Sequence, residues 1–211
     1  YDSLKLSGQE SRFEKFCSNQ LVIYRLCSGI STLCAGFALT IGHRIAYGTD
    51  LVTGIIQIAV LSSLHEIYAE SSSGESVPHR LLSCFKESAA FIRNERRAIA
   101  LMLANSFVGA IDILLLFFLQ AKLPEKGIPE WGLGFALLFM EMGGIVGSKL
   151  ILKFPKASYK AVFAATSALV LAGFAAEHSP LLYVMALGGF ISAVGDDALQ
   201  VRTNALLHDM F

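Results

Sequence analysis

The sequence is poor in charge. Only 16% of its 211 residues are Asp, Glu, Lys or Arg, whereas a soluble domain usually carries about 25% charged residues. Mean hydropathy is correspondingly high, at +0.57. The 17 basic and 17 acidic residues cancel, so the net charge provides no attraction for nucleic acid. The low share of charged residues argues against an ordinary soluble domain. The zero net charge predicts no nucleic-acid partner.

The sequence also lacks the common motifs of metal and redox sites. His65 and Glu66 begin an HExxH pattern, but Ala69 stands where the second histidine of that zinc motif would be. No CxxC pair occurs, and reduced thiols are expected; the cysteines are Cys17, Cys27, Cys34 and Cys84. We therefore expect no metal site, no cofactor and no catalytic residue.

Long runs of apolar residues make up most of the sequence. A helix needs about 20 apolar residues to cross a bilayer. A soluble bundle would show a polar face at helical spacing, and residues 111–119, IDILLLFFL, show none. The sequence predicts an all-α, polytopic transmembrane helix bundle surrounded by lipid. Its six predicted spans are Gln20–Gly42, Ile45–Leu64, Ala98–Gln120, Trp131–Leu152, Tyr159–Ala176 and Leu181–Val201.

The connections between the spans differ sharply in basic residues. Twelve of the 17 Lys and Arg residues lie in the connections of one side, three in those of the other, and two inside the spans. Cytoplasmic connections of membrane proteins carry the excess of Lys and Arg. This asymmetry predicts that both termini are cytoplasmic. We expect an integral protein of a bacterial cytoplasmic membrane.

The longest connection, residues 68–97, divides the chain. It contains the polar stretch Ser71–Ser76, whose composition is typical of a linker. Beyond it, Leu81, Phe85, Ala89 and Ile92 recur at helical spacing among charged residues, which predicts an amphipathic helix along the inner membrane surface or against the ends of the spans. The chain therefore divides into residues 1–67 with two spans, this connection, and residues 98–211 with four.

Several stretches resemble the bacterial major facilitator superfamily of transporters. They are YDSLK at the start, FKESAAFIRNERRAIALML before and within the third span, and GxxGSKLILKFPK from Gly144. The resemblance implies a twelve-helix fold with two six-helix halves around a cavity. It further implies that this chain is a central fragment, with spans five to ten of twelve. The remaining helices of the full-length transporter would then be its missing partners.

Charge is distributed unequally among the spans. Two of them, Ile45–Leu64 and Tyr159–Ala176, have no charged residue away from their ends, whereas the other four each contain one or two. A charge at mid-membrane costs roughly 2.5–3.5 kcal/mol on insertion scales. The four charged spans are therefore predicted to face a shared cavity. The resemblance implies that the two uncharged spans lie outside, against lipid.

Three polar residues are candidates for binding substrate or a proton. Glu141 lies near the middle of its span, where desolvation favours the neutral form of a carboxyl group, so it could take up and release a proton. Asp112 and Asn105 share a helix face and could contact a polar or cationic substrate. Hydrogen bonds to neighbouring helices are the structural alternative for all three residues.

The remaining candidate residues form a predicted cytoplasmic gate and a helix-packing motif. Arg25 is predicted to pair with Asp196 or Asp197 when the cytoplasmic side is closed; the alternative is that its side chain extends to the membrane surface. Gly143 and Gly147 form a GxxxG motif, in which small residues allow two helices to approach closely.

The leading functional hypothesis is a secondary transporter that moves a small solute by alternating access, with protons as candidate coupling ions. A non-transporting membrane scaffold or subunit is the first alternative, since six helices of twelve would not enclose a cavity. A membrane-embedded enzyme that holds Mg²⁺ on paired aspartates is the second. Only one Asp-Asp pair occurs, so we do not expect an enzyme.

Overall fold

The computed structural model describes Gly8 and residues 12–63 and 77–208, and every regular element in those ranges is a helix. The all-α prediction is confirmed for this part of the chain. The expected linker Ser71–Ser76 and the YDSLK stretch lie outside the described residues. The elements are α1 Phe13–Ile41, α2 His43–Ser63, α3 Val77–Asn94, α4 Arg96–Glu125, α5 Glu130–Leu150, a 3₁₀ turn Ile151–Lys153, α6 Tyr159–Glu177 and α7 Leu182–His208.

Five of these helices are long and apolar enough to cross a membrane, which indicates an integral membrane protein. The helix α2 covers most of the predicted span Ile45–Leu64 but is not among the five, so its crossing stays a prediction. The five candidate spans are Phe13–Ala38, Arg96–Glu125, Glu130–Lys153, Tyr159–Glu177 and Leu182–His208.

Three helices, α1, α4 and α7, are clearly longer than the apolar runs that predicted them. The first begins at Phe13 rather than Gln20, and α7 continues to His208 rather than ending at Val201. Asp196 and Asp197 consequently lie close to the middle of the 27-residue α7. The bounds differ because hydropathy marks where apolar residues stop, while a helix continues into polar residues.

The helix α7 occupies the centre of the bundle, where it packs against α1, α4, α5 and α6. Leu199 and Val201 are fully buried in one apolar cluster, and Leu119 and Met140 are almost fully buried in another around Met185. The helices α1 and α5 run antiparallel and in contact along much of their length. The central helix therefore fixes the positions of four others.

The predicted GxxxG motif lies where α5 meets α7. A Cβ atom on Gly143 would overlap the carbonyl oxygen of Phe190, and one on Gly147 would overlap that of Val194. Because the obstructing atoms belong to the backbone, no side-chain rotation could relieve the overlap. These two glycines allow α5 to pack directly on the backbone of α7.

The helices α2 and α3 contribute little to this bundle. The described residues of α2 between Tyr47 and Ser63 are exposed apart from Gly54, and α2 packs on α1. The predicted amphipathic helix lies within α3, where the apolar residues Leu81 and Phe85 are 56% and 73% exposed. The five candidate spans therefore form the packed unit that contains the site.

Candidate functional site

A cavity of about 700 Å³ lies among α1, α4, α5 and α7. These are the four helices whose predicted spans carry internal charges, and none of the described lining residues comes from α2 or α6. The polar lining includes Gln20, Tyr24, Arg25, Ser28, Asn105, Ser106, Asp112, Glu141, Asp196 and Gln200. Four of the six charged residues inside these four predicted spans, Arg25, Asp112, Glu141 and Asp196, thus lie around one space.

Arg25 lies at the centre of this polar lining and joins three helices. Its Nε and Nη2 atoms donate to the two carboxylate oxygens of Asp197 at 2.9 and 2.6 Å. Its Nη1 atom donates to Oε2 of Glu141 at 2.9 Å, and Nη2 lies 3.7 Å from Oδ2 of Asp196. We call these four residues the Arg25 cluster. The planar guanidinium suits this forked geometry.

Gly144 makes the cluster possible. A Cβ atom at this position would lie 2.5 Å from Oδ2 of Asp197 and 2.7 Å from Nε of Arg25, so any larger residue would obstruct the pair. Ser28, one turn along α1 from Arg25, donates to the second oxygen of Glu141 at 2.7 Å. Both oxygens of Glu141 are therefore hydrogen-bonded, and the residue acts as a counter-ion of Arg25.

The cluster is largely removed from water. The side chain of Asp197 is 0% exposed, and those of Arg25 and Asp196 are each 13% exposed. Desolvated charges are tolerated only when they are paired and hydrogen-bonded. The sequence leaves the partner of Arg25 open between two aspartates; the structure brings both to it, with the forked contact on Asp197. Opening and closing of this pair stays a prediction.

Asp112 and Asn105 line the same cavity from α4. Ser192 of α7 donates to Oδ1 of Asp112 at 2.8 Å, and Asp112 is only 4% exposed. The interhelical hydrogen bond considered from the sequence is therefore present. The buried Oδ1 atom of Asn105 has no hydrogen-bond partner among the described residues. Their contact with a substrate stays a prediction.

Arg202 is a functional candidate that the sequence did not reveal. Its Nη1 atom donates to Glu14 of α1 at 3.1 Å, and its Nη2 atom donates to the carbonyl oxygens of Phe154 and Ala157 at 2.5 and 3.3 Å. From the sequence, Arg202 is only one of the twelve basic residues that predict the cytoplasmic side. Arg202 forms a second polar connection between α1 and α7, near the end of the bundle where α1 begins.

Lys149 also lies near this end, where its Nζ atom donates to Oδ1 of Asn19 at 2.5 Å. Among the described residues, no group of three or more His, Cys, Asp or Glu side chains could hold a metal ion. Cys17, Cys27, Cys34 and Cys84 are free thiols. The described chemistry is therefore that of ion pairs and carboxyl groups.

In comparisons with known proteins, no family model, no curated protein and no solved structure matches this chain. Functional inference therefore rests on the cavity, the Arg25 cluster and the apolar helices that surround them.

Proposed function

We propose that the protein is a secondary transporter of a small polar or cationic solute, which binds in the cavity among α1, α4, α5 and α7. The main support is the Arg25 cluster, which connects α1 to α5 and α7 at the wall of the cavity. Apolar side chains can join helices at lower desolvation cost than buried ion pairs do. A charged connection beside a cavity is suited to a contact that breaks and re-forms.

Alternating access requires two groups of helices that move relative to each other around the binding site. We propose that α1 and α2 belong to one group and α4–α7 to the other, with α2 as a sixth membrane span. Support comes from the two connections that join α1 to α7, through Arg25 and through Arg202. Both would stabilise the conformation in which the cytoplasmic side is closed. This is the arrangement that resemblance to the major facilitator superfamily implies.

The charge of the cavity favours a cationic solute. Asp112, Glu141 and Asp196 line it. Arg25 is the only positively charged residue among the described lining residues, and it already contacts Asp197. A cavity with an excess of carboxyl groups attracts cations. Asp112 is the best candidate for direct contact, since its hydroxyl partner Ser192 is uncharged. An amine or quaternary ammonium group would provide the complementary charge.

Asp112→Asn is expected to lower the initial rate of cation uptake at least about tenfold, the effect of losing roughly 1.4 kcal/mol of binding. The full chain would be reconstituted in liposomes and supplied with a radiolabelled quaternary ammonium ion. Asparagine has nearly the same size and can still accept the hydrogen bond of Ser192. The matched control is Asp50→Asn, because Asp50 is exposed on α2, and it should transport normally.

Equal loss of uptake in both variants would contradict the assignment of Asp112. Absence of uptake by the unaltered protein, for neutral as well as cationic solutes, would contradict transport itself and favour a membrane scaffold or subunit.

A further inference from the structure

Glu177 is a buried acid that the proposed transport site does not use. It is the last residue of α6, one position beyond the apolar run that predicted this helix. It is only 1% exposed, and neither of its carboxyl oxygens has a hydrogen-bond partner among the residues that the structure describes. A charged residue at the end of a span would ordinarily extend into water. Here the side chain is directed into the bundle instead.

The side chain lies against the backbone of α7. A Cβ atom added to Gly188 would lie 3.0 Å from Cγ of Glu177, and one added to Gly189 would lie 3.5 Å from its Oε1. Leu119 of α4 and Met140 of α5 border the same glycine, Gly189. The carboxyl group is therefore enclosed by helix backbone and apolar side chains.

The charged groups around Glu177 do not compensate a negative charge. Asp112 of α4 interacts with it electrostatically, and this interaction is repulsive when both are ionised. Directly after α6, His178 stacks on Phe118 and its Nδ1 atom lies 2.8 Å from the carbonyl oxygen of Phe174. The α5 and α7 residues named above carry no charge. No described Lys, Arg or His side chain forms an ion pair with Glu177.

Three physical effects oppose ionisation at this position. Burial of a carboxylate without a hydrogen-bond donor is costly, the carboxylate of Asp112 repels a second negative charge, and the C-terminal end of a helix carries a partial negative charge. We infer that Glu177 is a proton-binding site, separate from the Arg25 cluster, which holds its proton while α4, α6 and α7 remain packed together.

This site differs from the proton site expected from the sequence. Glu141 is hydrogen-bonded to Arg25 and Ser28, whereas Glu177 has no such partners. Asp112 lines the cavity and also interacts electrostatically with Glu177. A change of charge at Asp112 would therefore change the electrostatic environment of Glu177. Coupling of this proton to solute movement rests on the proposed transport function, but proton binding itself does not.

Infrared spectroscopy tests the inference directly. The full chain in lipid should show the carbonyl stretch of a protonated carboxyl group at neutral pH, and Glu177→Gln should lose the intensity of one such group. The matched control is Glu125→Gln, since the side chain of Glu125 is 62% exposed, and it should leave the band unchanged. Glutamine is neutral and close in size to the protonated acid, so the variant should also unfold at an equal or higher temperature than the unaltered protein.

A spectrum of Glu177→Gln identical to that of the unaltered protein at neutral pH would overturn the inference, because Glu177 would then be ionised. A marked loss of thermal stability in Glu177→Gln but not in Glu177→Asp would overturn it equally, since it would reveal a partner for the carboxylate. Loss of the band in a protein that transports no solute would support the proton site and reject the transport proposal.

Discussion

Replacement of Arg25 with glutamine is expected to destabilise the bundle by about 3–5 kcal/mol, the usual effect of removing one partner from a buried ion pair. The variant would leave Asp197 fully buried and Glu141 largely buried without their cation. Thermal unfolding in detergent micelles, followed by helical circular dichroism, would measure the loss. Arg25→Lys should recover only part of it, since an ammonium group cannot form the forked contact.

The double variant Arg25→Gln with Asp197→Asn separates charge from packing. Neutralising both partners removes the unpaired carboxylate at the most buried position, so the double variant should be more stable than Arg25→Gln alone. Lys126→Gln is a control, because Lys126 is an exposed cation at the end of α4. Stability of Arg25→Gln equal to that of the control would show that the Arg25 cluster does not hold α1 to α5 and α7.

Gly147→Ala is expected to destabilise the bundle by about 1–3 kcal/mol, the usual cost of overpacking a close contact. The added methyl group would overlap the carbonyl oxygen of Val194, and α5 would have to move away from α7. The same movement would disturb Gly144 and therefore the contact of Arg25 with Asp197. Thermal unfolding and solute uptake should both be affected.

Gly48→Ala is the matched control for Gly147→Ala. A Cβ atom on Gly48 would meet nothing within 4 Å, and alanine is the better helix former. This variant should therefore be as stable as the unaltered protein or slightly more stable. If Gly147→Ala were as well tolerated as Gly48→Ala, the direct backbone packing of α5 on α7 would be wrong.

Hydropathy was sufficient to predict the helices that form the bundle. Lipid admits long apolar helices and few charges, so the apolar runs mark the candidate spans with small errors at their ends. The positions of internal charges also predicted which helices surround the cavity, because hydrocarbon excludes charged side chains. Residues such as Arg25 and Asp112 are therefore informative from sequence alone.

The detailed partners depended on information that the sequence does not carry. Asp196 and Asp197 are adjacent, and the rotation of α7 about its axis decides which one receives the forked contact of Arg25. Glu177 and Arg202 lie near helix ends, where hydropathy cannot distinguish a side chain in water from one directed into the bundle. The role of Gly144 depends on the contact of α1, α5 and α7 at that position, which the sequence does not show.

The central claim is that polar residues face an interior cavity while apolar residues face lipid. Spin labels on Asn105→Cys and Leu103→Cys, in a background without the four native cysteines, test it at two nearby positions of α4. Asn105 lines the cavity, and Leu103 is 65% exposed. The label at position 105 should collide mainly with a water-soluble nickel chelate, and that at position 103 mainly with oxygen dissolved in lipid. A label at position 105 that collides with oxygen as often as the label at position 103 would contradict the account.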